Sequence, residues 1–473
     1  MSISVRFAPS PTGYLHVGGL RTALYNYLYA KGENGRIVLR IEDTDQSRKV
    51  EGAVEQLMSA FDVMGIQFDE SPKNEGDCGP YFQSQRLNLY KKHVGELVDK
   101  GLAYPCFCSS KRLDTLRREK QALRLSTQYD RHCLSLTQDE IEEKSKSDPH
   151  VIRLKVPDSE SITFNDTVRN DVTFNTEEID DQVLLKSDGF PTYHLANVVD
   201  DYHMGITHVI RGEEWLSSMP KHILLYNAFG WDTPKFAHVP LLLNPDKSKL
   251  SKRQGDVAVE DYLKKGILPE ALINFVALLG WNPGDDREIF SMDELISEFS
   301  LERIHMSGAV FNQEKLSWMN NQYLKELPID EIVQYAKPFI ILDINTNDEK
   351  FNRVINFARN RVSYLTELND EIKYFYTHDL REHPDGDMLN NASSQALFKF
   401  WVDELSTAVT WNPVTLKDLI SKTNDELNIK GKDLFFPIRL AIYGECKGPD
   451  IPSIYNILGH DEIISRLNSV IKG

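Results

Sequence analysis

Arg6-Phe-Ala-Pro-Ser-Pro-Thr-Gly13, followed by His16-Val-Gly-Gly19, is the stretch that decides the fold. Before it lies Ser4–Phe7, short and suited to a buried strand. After it, Gly18 to Ala30 places Leu20, Ala23, Leu24, Tyr27 and Leu28 at helical spacing. Arg36–Ile41 (RIVLRI) follows, β-branched and apolar like a central parallel strand. The order is β-α-β, with the glycine-rich turn where the first strand feeds the helix. A helix N-terminus offers unpaired N–H groups and partial positive charge, and glycines let a phosphate reach the backbone. His16 in that turn is suited to stabilising charge on a transferring phosphoryl group. The turn lacks the Gly-x-x-x-x-Gly-Lys-Ser/Thr of ATP-hydrolysing P-loops and the Gly-x-Gly-x-x-Gly of dinucleotide binders. Taken alone, it reads equally well as a βα turn that binds nothing.

Working outward, a second unit of the same kind comes much later. Thr207–Ile210 is expected as a strand, Trp215–Phe229 as a helix and Ala237–Leu243 as a strand. Two halves of a doubly wound parallel sheet are therefore expected, residues 1–80 and 191–255. Between them, 81–190 reads as an inserted α+β domain, with a helix at Arg86–Lys100, a cysteine cluster and a strand-rich stretch at His150–Lys186. Beyond Lys252 the pattern is helical, with 256–310 as one region and 311–473 as an all-α region. Pro452–Ile471 is expected as a single helix.

Composition narrows the classes. The chain has 473 residues, 41% hydrophobic, 26% charged and 10% aromatic, which is ordinary globular composition. No apolar run is long enough to span a membrane, and the N-terminus has no signal-peptide pattern. Five cysteines are too few for a disulfide scaffold and point to a reducing cytoplasm. The net charge of −17 lowers the prior for a nucleic-acid partner without excluding one, since a single basic face suffices.

Lys249-Leu-Ser251-Lys252-Arg253 is the second chemical constellation. Three cations and a hydroxyl within five residues form an anion clamp on a loop; alone, such a run is more often a solvated loop. The pair of motifs resembles the His-x-Gly-His-like turn and Lys-Met-Ser-Lys-Ser-like loop of class I aminoacyl-tRNA synthetases. RFAPSPTGYLHVGGLRTAL, LRIEDTDQSR, PTYHLANVVDD, HVIRGEEW and NPDKSKLSKR resemble bacterial glutamyl-tRNA synthetases, with weaker similarity at Trp281–Asp286 and Lys430–Gly444.

That resemblance implies a class I, Rossmann-like catalytic domain, an acceptor-end-binding insertion, a helical stem-contact region and an anticodon-binding C-terminal region. It implies ATP-dependent ligation of L-glutamate to tRNA(Glu) through glutamyl-adenylate, with ATP as substrate, Mg²⁺ on the triphosphate, and a cytoplasmic monomer. His16, Lys249 and Lys252 become the catalytic residues. Pro9, Thr12, His16, Gly18, Gly19, Glu214, Trp215, Lys249, Ser251, Lys252 and Arg253 become ATP-binding. Arg6, Ala8, Ser10, Glu42, Tyr193, Asn197 and Arg211 become glutamate-binding. Charge agrees, because two carboxylates and an ammonium need guanidiniums (Arg6, Arg211) and an anion (Glu42). Alternatives are an enzyme that also charges tRNA(Gln), a short paralogue that glutamylates a modified base, a nucleotidyltransferase making a small adenylylated product, and a non-catalytic RNA-binding paralogue. The intact motifs disfavour the last; the long helical C-terminus disfavours the middle two.

Two features of the insertion stand apart. Lys111, Arg112, Arg117, Arg118, Lys120 and Arg124 read as a basic helix, interrupted by Asp114 and Glu119. Cys106, Cys108 and Cys133 resemble a Cys-x-Cys…Cys-x-His zinc pattern, but position 135 is serine. No metal is assigned on that ground; the alternative is zinc on the three cysteines with Tyr129 or His132.

Overall fold

The computed structural model describes residues 2–48, 50–250, 258–380, 383–407 and 413–472. It divides into two units, Met1–Leu263 with Pro269–Gln313, and Lys264–Leu268 with Glu314–Gly473.

The first unit is α/β. β1 (Ser4–Phe7) and β2 (Arg36–Leu39) run parallel, paired from Ser4↔Arg36 to Phe7↔Leu39, with α1 (Val17–Gly32) between them in sequence. Leu20, Ala23, Leu24 and Leu28 are fully buried, which is the helical face that their spacing predicts. After α2 (Ala53–Val63) the chain enters the region expected as an insertion, which begins with α3 (Leu87–Asp99). There β3 (Ala103–Cys106), β4 (Val151–Leu154) and, later, β7 (Val183–Leu185) form one antiparallel sheet, with α4 (Ser110–Ala122) and α5 (Gln138–Ser147) between β3 and β4.

The hairpin β5 (Ser161–Asp166) and β6 (Asn170–Asn175) departs from that sheet. β5 pairs in parallel with β9 (Lys235–Val239) at Asp166↔Phe236, giving the order β6-β5-β9-β8, where β8 is His208–Gly212. Part of the expected insertion thus belongs to the sheet of the second half. The Thr207 N–H donates to the Ser4 carbonyl at 2.8 Å, tying the entry of β8 to β1. α6 (Tyr193–His203) precedes β8, and α7 (Met219–Phe229) joins β8 to β9.

Three expectations are corrected here. The helix expected over Trp215–Phe229 is a 3₁₀ turn at Glu213–Ser218 followed by α7. Pro220 fits only in the first turn of an α-helix, so α7 starts beside it. The strand expected over Ala237–Leu243 breaks at Pro240, which has no N–H to donate. It resumes as β10 (Leu242–Leu243), which pairs with β11 (Ala309–Val310), a short strand within the region expected to be helical. α8 (Val259–Lys264), α9 (Pro269–Ala277) and α10 (Met292–Glu298) complete the helices before β11. The Tyr25 hydroxyl donates to the Leu279 carbonyl at 2.9 Å, and Arg21 Nη1 donates to the same oxygen at 3.0 Å. These bonds hold the 269–313 region against α1.

In the second unit the described elements are helical: α11 (Gln313–Glu326), α12 (Ile329–Ala336), α13 (Glu349–Ala358), α14 (Leu368–Tyr376), α15 (Ala392–Thr407), α16 (Pro413–Leu427), α17 (Lys432–Tyr443), α18 (Ile451–Leu458) and α19 (His460–Val470). Leu397, Phe398, Trp401, Ile438 and Leu467 form part of its core. The helix expected over Pro452–Ile471 is two, because Gly459 takes φ +82° and ends the first. Among the described residues no helix is long and apolar enough to cross a membrane.

Candidate active site

The site lies where the carboxyl ends of β1, β2 and β8 meet the N-termini of α1 and α6, the position at which open α/β sheets bind ligands. A cavity of about 260 Å³ opens there. All seven residues assigned to glutamate line it, and so do Gly18, Gly19, Glu214 and Trp215. Phe7, Thr22 and Gly212 line it too, and sequence reasoning did not single them out. Pro9, Thr12, His16 and Lys249 are not among its lining residues. The Pro9 carbonyl instead accepts from the Glu42 N–H at 2.9 Å, which fixes the loop after β1. Thr12 is exposed in that turn. His16 caps α1, and its Nδ1 accepts from the Gly18 N–H at 2.9 Å, so a neutral ring carries its proton on Nε2. Lys249 is exposed just after the tight turn Asn244–Ser248. Ser251, Lys252 and Arg253 lie outside the described residues.

Tyr193, Asn197 and Asp201 are spaced i, i+4, i+8 on α6, so they share one face. Asp201 accepts from Arg6 Nε at 3.2 Å and from Arg40 Nη1 at 2.7 Å. Arg40 Nη2 reaches Glu42 at 3.2 Å, and Asp200 accepts from Arg86 Nε at 2.7 Å. These charges are all buried. Burial raises the Glu42 carboxyl above its usual range against the pull of Arg40 and Arg6. Burial acts on Asp201 in the same direction, but Arg6 and Arg40 overcome it and hold the group below its usual range. Arg40, Asp200 and Asp201 were missed from sequence. The signal for Arg40 was a cation inside an otherwise apolar strand, RIVLRI, which demands buried partners.

Arg211 is held differently. Only 4% of it is exposed. Its Nε donates to His238 Nε2 at 3.1 Å, Nη1 to the Tyr193 hydroxyl at 2.9 Å, and Nη2 to Met219 Sδ at 2.9 Å and His222 Nδ1 at 3.3 Å. Burial pushes His238 down to about 4 and His222 well below the usual histidine range, the second helped by Arg211 itself. Every partner is therefore neutral at pH 7. Among the described residues no carboxylate lies within ion-pair distance of Arg211, so a full positive charge is buried at the cavity wall without a counter-ion. Asn197 Nδ2, also buried, has no partner. A buried guanidinium with no counter-ion is costly unless a ligand supplies the anion.

The description "tRNA synthetases class I (E and Q), catalytic domain" matches residues 2–318. The chain belongs to the class I tRNA synthetases of the E and Q group. "Anticodon binding domain" matches residues 331–471. Among curated relatives, the glutamate–tRNA ligase of Chlorobaculum parvum is 47% identical over 98% of this chain and 97% of its own. That of Clostridioides difficile is 45% identical over 99% and 98%. A crystal structure of a glutamate tRNA ligase from Elizabethkingia meningosepticum in complex with its amino acid aligns with TM-score 0.92 at 38% identity, covering 99% of each chain.

Two further features of this synthetase lie in the insertion. α4 carries Lys111, Arg112, Arg117, Arg118 and Lys120 and buries none of its side chains, while Arg124, expected on the same helix, lies beyond its end at φ +55°. Asp130 engages Arg112, Asp114 engages Arg117 at 3.5 Å, and Lys120 Nζ donates to the Gln128 carbonyl at 2.7 Å. Lys111, Arg118 and Arg124 remain exposed. Nearby, the sulfurs of Cys106, Cys108 and Cys133 converge within 4.8 Å. Cys108 and Cys133 Sγ are 3.5 Å apart, and the Tyr129 hydroxyl lies 3.4 and 3.3 Å from Cys106 and Cys108 Sγ. A tetrahedron with Zn–S of about 2.3 Å has S–S edges of about 3.8 Å and S–O edges of about 3.5 Å. The Cys108–Cys133 edge and the two Tyr129 edges lie within about 0.3 Å of those lengths. His132 is exposed and is not part of that group, whereas the Tyr129 hydroxyl lies beside the thiols.

Proposed function

We infer that the chain ligates L-glutamate to tRNA(Glu), working as a monomer in the cytoplasm. The carrying observation is Arg211, a buried guanidinium surrounded by neutral acceptors in a cavity of amino-acid size. A side-chain carboxylate supplies the missing anion, whereas an amide would leave the charge unpaired. Arg6, whose Nε is occupied by Asp201, offers its remaining guanidinium N–H groups as a second cation. Glu42 receives the substrate ammonium, and Asn197 Nδ2 and Ser10 complete the polar lining.

In the first step an oxygen of the glutamate α-carboxylate attacks the α-phosphorus of ATP and pyrophosphate leaves, giving glutamyl-adenylate. The first turn of α1, where Gly18 and Gly19 lie, receives phosphate oxygens. His16 Nε2–H and the lysines of the 249–253 loop stabilise charge on phosphorus. In the second step a hydroxyl of the terminal tRNA ribose attacks the acyl carbon and AMP leaves. The protein supplies positioning and electrostatics, with no covalent nucleophile. Mg²⁺ would accompany the triphosphate of the nucleotide and offset its charge. Among the described residues the thiols are the one group of three or more His, Cys, Asp or Glu that could hold a metal. Zinc held there would rest on Cys106, Cys108 and Cys133, with the Tyr129 hydroxyl adjacent, and would serve structure alone. Exposed cations of α4 contact the acceptor end of tRNA, and the 331–471 region takes the anticodon.

Aminoacylation of separately purified glutamate and glutamine tRNAs with labelled glutamate tests this reading. Acylation of tRNA(Glu) with release of AMP and pyrophosphate is expected. No product with tRNA(Glu) would overturn it.

A further inference from the structure

Arg211 and His238 are register partners on the parallel strands β8 and β9. Arg211 Nε donates to His238 Nε2 at 3.1 Å, and His238 Nδ1 donates to Asp166 Oδ2 at 2.6 Å. Both His238 and Asp166 are essentially inaccessible to solvent. Asp166 is anchored through its other oxygen. Oδ1 accepts from the backbone N–H groups of Val168 at 3.0 Å, Arg169 at 2.9 Å and His238 at 3.3 Å. The carboxylate therefore cannot turn away, and the imidazole facing it must carry its proton on Nδ1. Nε2 is left as a lone pair directed at the guanidinium. Asp166 comes from the β5–β6 hairpin, which leaves the sheet of the insertion and joins β9 at this residue.

The same site shows what the arrangement avoids. Arg40 is held by carboxylates, and its charge is cancelled by Asp201, Asp200 and Glu42. Were Asp166 in contact with Arg211, that guanidinium would be neutralised in the same way. With His238 interposed, the hydrogen bond that orients the guanidinium comes from an uncharged acceptor, and the counter-ion sits one ring further off. His222 contributes a second lone pair, its Nε2 facing His194 Nδ1 at 3.1 Å.

We propose that Asp166 and His238 are positioning residues for Arg211: the carboxylate locks the imidazole in the tautomer that orients the guanidinium while leaving its positive charge free for the substrate carboxylate. This rests on the reading that Arg211 recognises the glutamate side chain, and the test separates the two. Asp166→Asn keeps an oxygen for the three backbone donors but places an NH₂ opposite His238 Nδ1. The ring then protonates Nε2 and turns an N–H on Arg211 Nε. His238→Leu removes the acceptor, whereas His238→Gln can donate to Asp166 and accept from Arg211.

Aminoacylation kinetics with the full-length enzyme, ATP and tRNA, for glutamate and glutamine, are measured for these variants and for Arg211→Ala. Asp166→Asn and His238→Leu are expected to raise the glutamate KM about 10- to 100-fold, the scale of one hydrogen bond to a charged group. The ATP KM should hold and the preference for glutamate over glutamine should fall. His238→Gln should stay within about threefold of the parent. The proposal is overturned if Asp166→Asn leaves the glutamate KM unchanged, or if His238→Gln is as impaired as His238→Leu. Equal increases in the ATP and glutamate KM also overturn it, because they indicate a general packing role. If Arg211→Ala itself leaves glutamate use and preference intact, the reading of Arg211 fails first. Should Asp166→Asn not fold, the Gln and Leu variants at 238 decide alone.

Discussion

Replacing Arg211 by alanine isolates the term on which the substrate reading stands. The guanidinium is buried, makes four hydrogen bonds to uncharged partners and has no carboxylate in range. In the complex it would pair with the substrate's side-chain carboxylate away from water. Removing one member of a buried ion pair costs about 3–5 kcal/mol, because the other charge is left desolvated. At about 1.4 kcal/mol per tenfold, kcat/KM for glutamate should fall by roughly 10²- to 10³-fold or somewhat more. Glutamine carries no charge to strand, so its kcat/KM should change far less and discrimination should shrink by a similar factor. The free protein should behave in the opposite sense. Arg211 has no counter-ion to lose, so its removal should leave Tm unchanged or raise it. Arg40→Met is the control, since it leaves Glu42 buried without its ion-pair partner and takes one of two cations from Asp200 and Asp201, and should cost about 3–5 kcal/mol of stability. Single-turnover acylation of tRNA with labelled glutamate or glutamine, with thermal melts of both variants, makes the measurement. An Arg211→Ala enzyme that keeps its preference for glutamate, or that melts far below the parent, would refute the reasoning.

The remaining predictions concern other parts of the molecule. Lys252→Ala should slow adenylate formation by about 10²- to 10³-fold with little change in glutamate binding; an unchanged single-turnover rate with ATP and tRNA counts against the loop. Burial pushes His194, His208 and His238 down to about 4. The unfolded chain protonates these groups below about 6.5, so it binds more protons than the folded one between there and about 4. Stability should be fully present above pH 6.5 and fall as pH drops towards 4, and a Tm flat over that range would contradict the burial of these rings. Protein purified without chelator should carry near-stoichiometric zinc that disappears in Cys106→Ser; metal-free parent protein would leave the cluster as packed thiols.

Local signals carried the first level of this structure. Strand Ser4–Phe7, helix α1 and strand β2 follow from apolar spacing and a glycine-rich turn, which depend on residues close in the chain. Breaks imposed by chain chemistry were legible but overlooked. Pro220, Pro240 and Gly459 each end or begin an element where a longer periodic run invited one continuous helix or strand. Seven residues carried over from motif resemblance line one cavity because the motifs sit at strand ends and helix starts, where a doubly wound sheet gathers its loops.

By itself the sequence determined the α/β order, the helical C-terminal region, the family and the residue types at the pocket, because periods of 2 and 3.6 and turn chemistry are properties of neighbouring residues. Only the tertiary structure decided how the charges are paired. Arg6 and Arg211 look alike in sequence as arginines at strand ends, yet one is held by Asp201 and the other by neutral rings. Asp166, His222 and His238 come from a hairpin, a helix and a strand, and no local pattern marks them as partners of Arg211. Whether a buried cation is cancelled or left free depends on distances of a few ångströms across such elements, set by packing and register.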